Sequence, residues 1–394
     1  MTASNLAAAG AEPLPAGRAA VTRLALANFR SYDRLRLAVE PSPIVLTGAN
    51  GAGKTNLLEA LSFLAPGRGL RRARLGEVDR KGADAPWAVA ATVLGPRGVS
   101  DLGTAHERED GAEDGRRVVR VDGRGERGQA ALARELAVFW LTPEMDRIFA
   151  DGPSGRRRFL DRLVYGFDPE HARRVSVYEH ALRERARLLK DGRTADGAWL
   201  SVLEDRMARE GIAIAVARAD VAARLAHAAG EARFPRADLV LDGTLEAWLT
   251  EAPALAVEDR LRAALAAARA EDAAAGGAGM GPHRSDLKVR HMDKDMPADQ
   301  CSTGEQKALL ISIALANARL VALERGAPPL LLLDEVAAHL DEARRRALFE
   351  AILSLGAQAW MTGTDAQLFG PLAGAAQFFQ VADGAVAPAV GVER

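Results

Sequence analysis

Gly48-Ala49-Asn50-Gly51-Ala52-Gly53-Lys54-Thr55 follows the apolar run Ile44-Val45-Leu46 after a single threonine, and Asn56 continues it. The eight residues meet the phosphate-binding loop pattern G-x-x-x-x-G-K-[ST] at every fixed position, where a strand should end and a helix begin. Glycines let the backbone curl around phosphate oxygens, where a Cβ would block close approach or forbid the needed dihedrals. Successive N–H groups then point inward, and the dipole of the following helix, expected over residues 54–65, adds partial positive charge. Lys54 is placed to reach the β- and γ-phosphates, and the Thr55 hydroxyl to ligate Mg²⁺. The stretch therefore predicts a nucleoside triphosphate site, with residues 48–56 as its candidate binding residues.

Working outward, residues 21–29 and 35–39 alternate as strands and lead into the loop. Beyond its helix comes the basic stretch Arg68-Gly69-Leu70-Arg71-Arg72-Ala73-Arg74. Residues 88–94, 117–121 and 137–141 read as further strands. From about Ser154 helical spacing takes over, through 156–190, 199–229 and 257–274, with Asp196-Gly197, Phe234-Pro235 and Gly276-Gly277 as punctuation. Strand-and-helix alternation returns near Asp286. The expected organisation is a lead over 1–20, expected to be disordered, an ATPase head from 21–153 and 281–394, and a mostly helical lobe over 154–280. The fold class is α/β, a mixed sheet with helices.

Leu330-Leu331-Leu332-Leu333 runs into Asp334-Glu335. A buried strand would carry Asp334 to the sheet's carboxyl end beside the phosphate loop, to hold Mg²⁺ with Thr55. Glu335 would then orient and deprotonate the attacking water. Cys301-Ser302-Thr303-Gly304-Glu305-Gln306-Lys307 precedes a strongly apolar helix over 308–323. Ser302 with Glu305 three residues later makes a capping box. The same Ser302 and the free N–H groups of the helix start could instead bind a second anion, the γ-phosphate of an ATP held by another subunit.

Composition narrows the classes. The 394 residues suit two domains, or one with a large insertion. A formal net charge of −1 rules out any argument from a globally basic protein, and arginine supplies nearly all the positive charge. The single cysteine, Cys301, excludes an intrachain disulfide and suits a reducing cytosol. No membrane span is expected, because the 308–323 run is short and interrupted by Asn317 and Arg319. A cytoplasmic location follows as the expectation. The helical runs are too short and interrupted for long coiled-coil arms.

The phosphate loop, the signature before a helix, and the Asp-Glu strand followed by Ala338-His339-Leu340-Asp341 together look like the set of an ABC-type ATPase. More narrowly, the chain resembles the RecF family of bacterial recombinational repair proteins. The matching features are Asn28-Phe29-Arg30-Ser31-Tyr32, Thr142-Pro143-Glu144, the stretch Gly152-Pro153-Ser154-Gly155-Arg156-Arg157-Arg158-Phe159-Leu160-Asp161, and Gly281-Pro282-His283-Arg284-Ser285-Asp286-Leu287. The resemblance implies an ATP-dependent homodimer that binds DNA, single-stranded and duplex, hydrolyses ATP under DNA stimulation, and works with RecO and RecR in loading RecA at gaps.

It also implies site roles: Ser302, Thr303, Gly304, Glu305 and Gln306 as a signature acting on the partner's ATP, and Asp341 in the D-loop. The general ABC signature reads Ser-Gly-Gly-Gln, so Thr303 and Glu305 are departures. No histidine follows residues 359–361, and Thr362 and Thr364 are candidate γ-phosphate sensors in its place. Glu144 stands where a glutamine of the Q-loop would be expected. Candidate DNA contacts are Arg68, Arg71, Arg72, Arg74, Arg156, Arg157 and Arg158; solvated helix faces are the other reading of these runs. His283 and Arg284 suit either a junction turn or contact with nucleotide or DNA. A transporter motor and an SMC-like chromosome protein are the alternatives.

Overall fold

Four short runs of apolar residues become strands buried on both faces: Ile44–Thr47, Val138–Leu141, Leu330–Leu333 and Ala359–Gly363. Continuous apolar runs, not alternation, are what a parallel sheet covered on both sides requires. The computed structural model describes residues 17–108, 115–191, 197–228, 233–338 and 340–389. The expected lead falls mostly outside the described residues, and its expected end at 20 already lies in the strand Ala20–Phe29.

The parallel sheet runs in the order Ala385–Pro388, Gln377–Ala382, Ile44–Thr47, Ala359–Gly363, Leu330–Leu333, Val138–Leu141, with only the first pair antiparallel. Strands from both ends of the chain thus share one sheet. The phosphate-loop strand and the Asp-Glu strand are not neighbours; Ala359–Gly363 separates them. A second sheet, antiparallel throughout, runs Tyr32–Ala38, Ala20–Phe29, Ala88–Gly95, Gly98–Glu107, Arg116–Val121, Arg124–Glu126. The phosphate-loop helix Lys54–Ser62 touches both sheets. Phe29, Phe63 and Trp87 meet there, with ring centroids 4.7 to 5.9 Å apart.

The helix Thr303–Arg325 is longer than the 308–323 window suggested. At 23 residues it has the length and apolarity to cross a bilayer, so the expectation drawn from length does not stand. Its side chains are instead buried in the protein core, Leu309, Leu310, Ile311, Ile313 and Val321 among them.

The middle third holds the long helices His171–Lys190 and Gly197–His227, with Thr244–Glu251, Ala254–Ala267 and Arg269–Ala275. Tyr178, Met207, Ile214, Leu245 and Leu261 form a core cluster of their own here. Helical spacing missed the strand Ala237–Asp242, which pairs antiparallel with Asp286–His291. Its partner lies more than forty residues away, so no local pattern announces the pairing. Buried charges join the parts. Arg218 forks onto Asp161 with two bonds of 2.8 Å and donates to the Pro282 carbonyl at 2.7 Å. His171 Nε2 meets the same carboxylate at 2.8 Å.

Candidate nucleotide site

The phosphate loop takes the conformation its glycines permit. Gly48 has φ 147°, and a Cβ there would sit 2.3 Å from the Val381 carbonyl oxygen. Gly53 has φ 111°, and a Cβ would fall 2.9 Å from the Tyr32 hydroxyl. Both positions exclude any side chain. Lys54 is 5% exposed and folds over the loop, with Nζ donating to the carbonyls of Gly48 (2.7 Å) and Ala49 (2.9 Å). Burial holds its ammonium below the ordinary lysine value, partly offset by Glu335 and Asp334.

Thr55 Oγ1 donates to Asp334, 3.0 and 3.1 Å from its two oxygens. Residues 279 positions apart thus meet because the parallel sheet brings both strand ends to the same edge. A hydroxyl and a carboxylate are hard oxygen donors, the set that suits Mg²⁺ when phosphates complete its shell. The glycine-lined loop with a lysine across it likewise suits a triphosphate. Glu335 has φ 49°. Thr362 lies wholly buried beneath this pair, its hydroxyl 2.7 Å from Asp334 Oδ1 and 2.9 Å from the Glu335 backbone nitrogen. Thr362, the candidate γ-phosphate sensor, thus has its only hydroxyl engaged by protein in this state. Thr364 is exposed beyond the strand end.

Around the signature, the capping reading holds in this state. Ser302 N–H and Oγ both donate to Glu305 Oε2, each at 2.9 Å. Lys294 pairs with the same carboxylate and, with the Ser302 bonds, pulls it down to about 2. Ser302, Thr303 and Gly304 are exposed, while the buried Gln306 amide donates to the Cys301 carbonyl. Among the described residues no hydrogen bond or ion pair links 302–306 to Lys54, Thr55, Asp334 or Glu335. Asp341 is an exposed N-cap whose carboxylate accepts from the Arg344 N–H at 2.8 Å. One residue that sequence reasoning passed over ties these parts together. Lys307, 6% exposed, donates to Asp146 (3.2 Å) and to the Ala338 carbonyl (3.0 Å). Only its place next to the signature hinted at it. Glu144 is exposed.

The seven arginines separate. Arg72 is pushed below its ordinary value by burial and then by the charges of Arg158 and Arg68, so each of these lies near it. Arg162 lies beside them, stacked 4.1 Å over Trp140, and burial pushes it down to about 9. Arg71 is turned inward onto Glu59 (3.0 Å) and Asn56 (2.7 Å), and Asn56 donates to Ser31 Oγ, so the Asn56 side chain is held by protein. Arg74 is exposed. Arg156 forks onto Asp286 at 2.7 and 2.9 Å and Arg157 donates to the Ser285 carbonyl at 2.8 Å. Both, candidate DNA contacts in the sequence, brace a junction in this state. His283 and Arg284 also resolve as a turn. His283 bonds Tyr178 Oη (2.7 Å) and the Ala278 carbonyl (3.0 Å), which Arg284 shares.

Residues 20–384 match the family described as the RecF/RecN/SMC N-terminal domain. The chain is 50% identical over 372 residues to the DNA replication and repair protein RecF of Mesorhizobium japonicum, covering 93% of this chain and 97% of that one. It is 51% identical over 368 residues to the RecF of Allorhizobium ampelinum, covering 92% and 97%. This chain belongs to the RecF family. The fold agrees: a solved structure of the recombination mediator protein RecF-ATPrS in the RecFOR pathway superposes with TM-score 0.81 at 20% identity, covering 95% of this chain and 99% of that one. An Smc head domain from Pyrococcus furiosus reaches 0.52 at 15% identity, covering 94% and 96%. The RecF/SMC head, an ABC-type ATPase fold, is therefore the architecture, and the match to RecF spans nearly the whole chain.

Proposed function

We propose that this RecF-family chain is a cytoplasmic, ATP-driven DNA repair protein that dimerises on ATP, binds DNA at gaps or at single-strand/duplex junctions, and cooperates with RecO and RecR in loading RecA. We further propose that 21–153 with 281–394 act as the ATPase head and 154–280 as its second lobe. The observation that carries the ATPase reading is the meeting of Thr55 and Asp334 at 3.0 Å beside Lys54. The name borne by relatives about half identical to this chain supports the repair role.

In hydrolysis, Lys54 would exchange its loop carbonyls for β- and γ-phosphate oxygens, and Thr55 and Asp334 would hold the metal. Bound Mg²⁺ would neutralise charge developing on those oxygens. Glu335 accepts the proton of the attacking water. Ser302 and Gly304 of a second copy close the site over the γ-phosphate, so that loss of this group releases the two chains. Ser302→Arg is expected to leave ATP affinity near wild type and abolish association. Sedimentation with ATP and with ADP reads this; a monomeric wild type at tens of micromolar with ATP, or a variant that dimerises normally, overturns the shared site.

DNA binding is assigned to the Arg68, Arg72 and Arg158 surface. If these side chains meet backbone phosphates, log affinity for duplex falls with log salt with a slope of about −0.9 per phosphate neutralised. Replacing all three by glutamine is expected to flatten the slope by about two to three and weaken every sequence alike. Replacing Arg156 is expected to lower stability without changing the slope. An unchanged slope in the triple variant contradicts the assignment.

A further inference from the structure

The strand Ala359–Gly363 stands between the phosphate-loop strand and the strand that ends in Asp334 and Glu335. Thr362 pairs in register with Leu46 on the phosphate-loop strand, two residues before Gly48. Its side chain is 0% exposed, so no water competes for its hydroxyl. That hydroxyl carries one proton and two lone pairs. The Glu335 N–H, 2.9 Å away, can only donate; it takes a lone pair and leaves the proton for Asp334 Oδ1 at 2.7 Å. The bond directions are therefore fixed by chemistry. The β-branched side chain adds a stiff first torsion that holds the oxygen in place.

What is held matters. Glu335 sits at φ 49°, a left-handed conformation that a residue with a Cβ adopts only when its surroundings impose it. The Thr362 oxygen receives the backbone N–H of that residue. The same oxygen donates to the carboxylate that also receives Thr55. One atom thus links the backbone of the water-activating residue to the metal-binding carboxylate.

We propose that Thr362 is a positioning residue for ATP hydrolysis, its hydroxyl holding the Asp334 carboxylate and the Glu335 backbone in one fixed relation. Resting on the ATPase reading, this gives Thr362 no contact with nucleotide. Its effect is exerted through Asp334 on metal binding and through Glu335 on the chemical step.

Thr362→Val removes the hydroxyl at nearly constant shape, and Thr362→Ser retains it. A hydrogen bond to a charged group corresponds to about a 10- to 100-fold effect. Thr362→Val is expected to lower kcat by about that factor with KM for ATP within about twofold. It should also raise several-fold the Mg²⁺ concentration needed for tight binding of a fluorescent non-hydrolysable ATP analogue. Thr362→Ser is expected to restore both to within about threefold of wild type. Thermal unfolding of each variant separates positioning from loss of fold, and Thr362→Ala serves as the hydroxyl-free variant if valine does not fold. Wild-type kcat and Mg²⁺ dependence in the valine variant, or a serine variant as impaired as valine, overturns the proposal. If the wild type hydrolyses no ATP with or without DNA, the ATPase reading falls. The Mg²⁺ titration needs no turnover and still decides the hold on Asp334.

Discussion

Glu335→Gln is expected to lower ATP turnover by about 10²- to 10⁴-fold while ATP still binds. Glutamine keeps the size and polarity of the side chain but cannot accept the proton of the attacking water. Lys54, Thr55 and Asp334, which contact the phosphates and metal in this reading, are unaltered. The left-handed backbone at φ 49° and its bond from Glu335 N–H to Thr362 do not depend on the carboxylate, so the substitution is not expected to disturb the fold. If ATP closes two chains together, the variant also accumulates as an ATP-bound dimer that ADP does not support. Single-turnover hydrolysis, nucleotide binding and sedimentation check the three parts. Turnover within about threefold of wild type would remove Glu335 from the role of general base.

Asp161→Asn is expected to lower stability by about 3–5 kcal/mol, because it leaves the Arg218 guanidinium buried without its counter-charge. Asp161 is 5% exposed and Arg218 4%, so solvent screens neither. Burial pushes the Asp161 carboxyl up, but the Arg218 charge and the hydrogen bonds from His171 and Arg218 reverse this and hold it well below the usual carboxylate range. The folded-state value being depressed, the contribution is fully present above the unfolded value, about 3.9, and is lost as the pH falls below it. Wild type and variant should therefore differ most near neutrality and converge in acid. Urea unfolding at pH 7 and at pH 3 measures both. A difference below about 1 kcal/mol at pH 7, or one that grows in acid, contradicts the account. The same fork from Arg218 reaches the Pro282 carbonyl, so the 281–287 segment is expected to lose protection from hydrogen exchange together with the helix Pro153–Tyr165.

How legible the site was depended on how local its chemistry is. The phosphate loop is one contiguous stretch, and its glycines, lysine and threonine each carry a role that spacing alone expresses. The Asp-Glu strand was legible for the same reason, as an apolar run ending in acids. The arginines were not. Seven basic residues in two clusters read alike in one dimension, yet Arg156 is tied to Asp286, 130 residues on, while Arg72 and Arg158 share a surface though 86 positions apart. Lys307 and Asp146 escaped notice because neither is unusual until the signature helix is laid against the stretch after Val138–Leu141.

By itself the sequence determined the nucleotide chemistry, the α/β class and the RecF resemblance, because these rest on residue identities at short fixed spacing and on local periodicity. Tertiary structure alone decided three things. It put Ala359–Gly363 between the phosphate-loop strand and the Asp-Glu strand, which made Thr362, read as a candidate γ-phosphate sensor, a buried bridge. It paired Ala237–Asp242 with Asp286–His291, inserting a strand into a region of helical pattern. It divided the arginines between a junction and a surface. In each case the deciding partner is remote in sequence, and the free energy of a buried hydrogen bond or ion pair depends on what the fold brings within about 3 Å, a quantity no window of sequence contains.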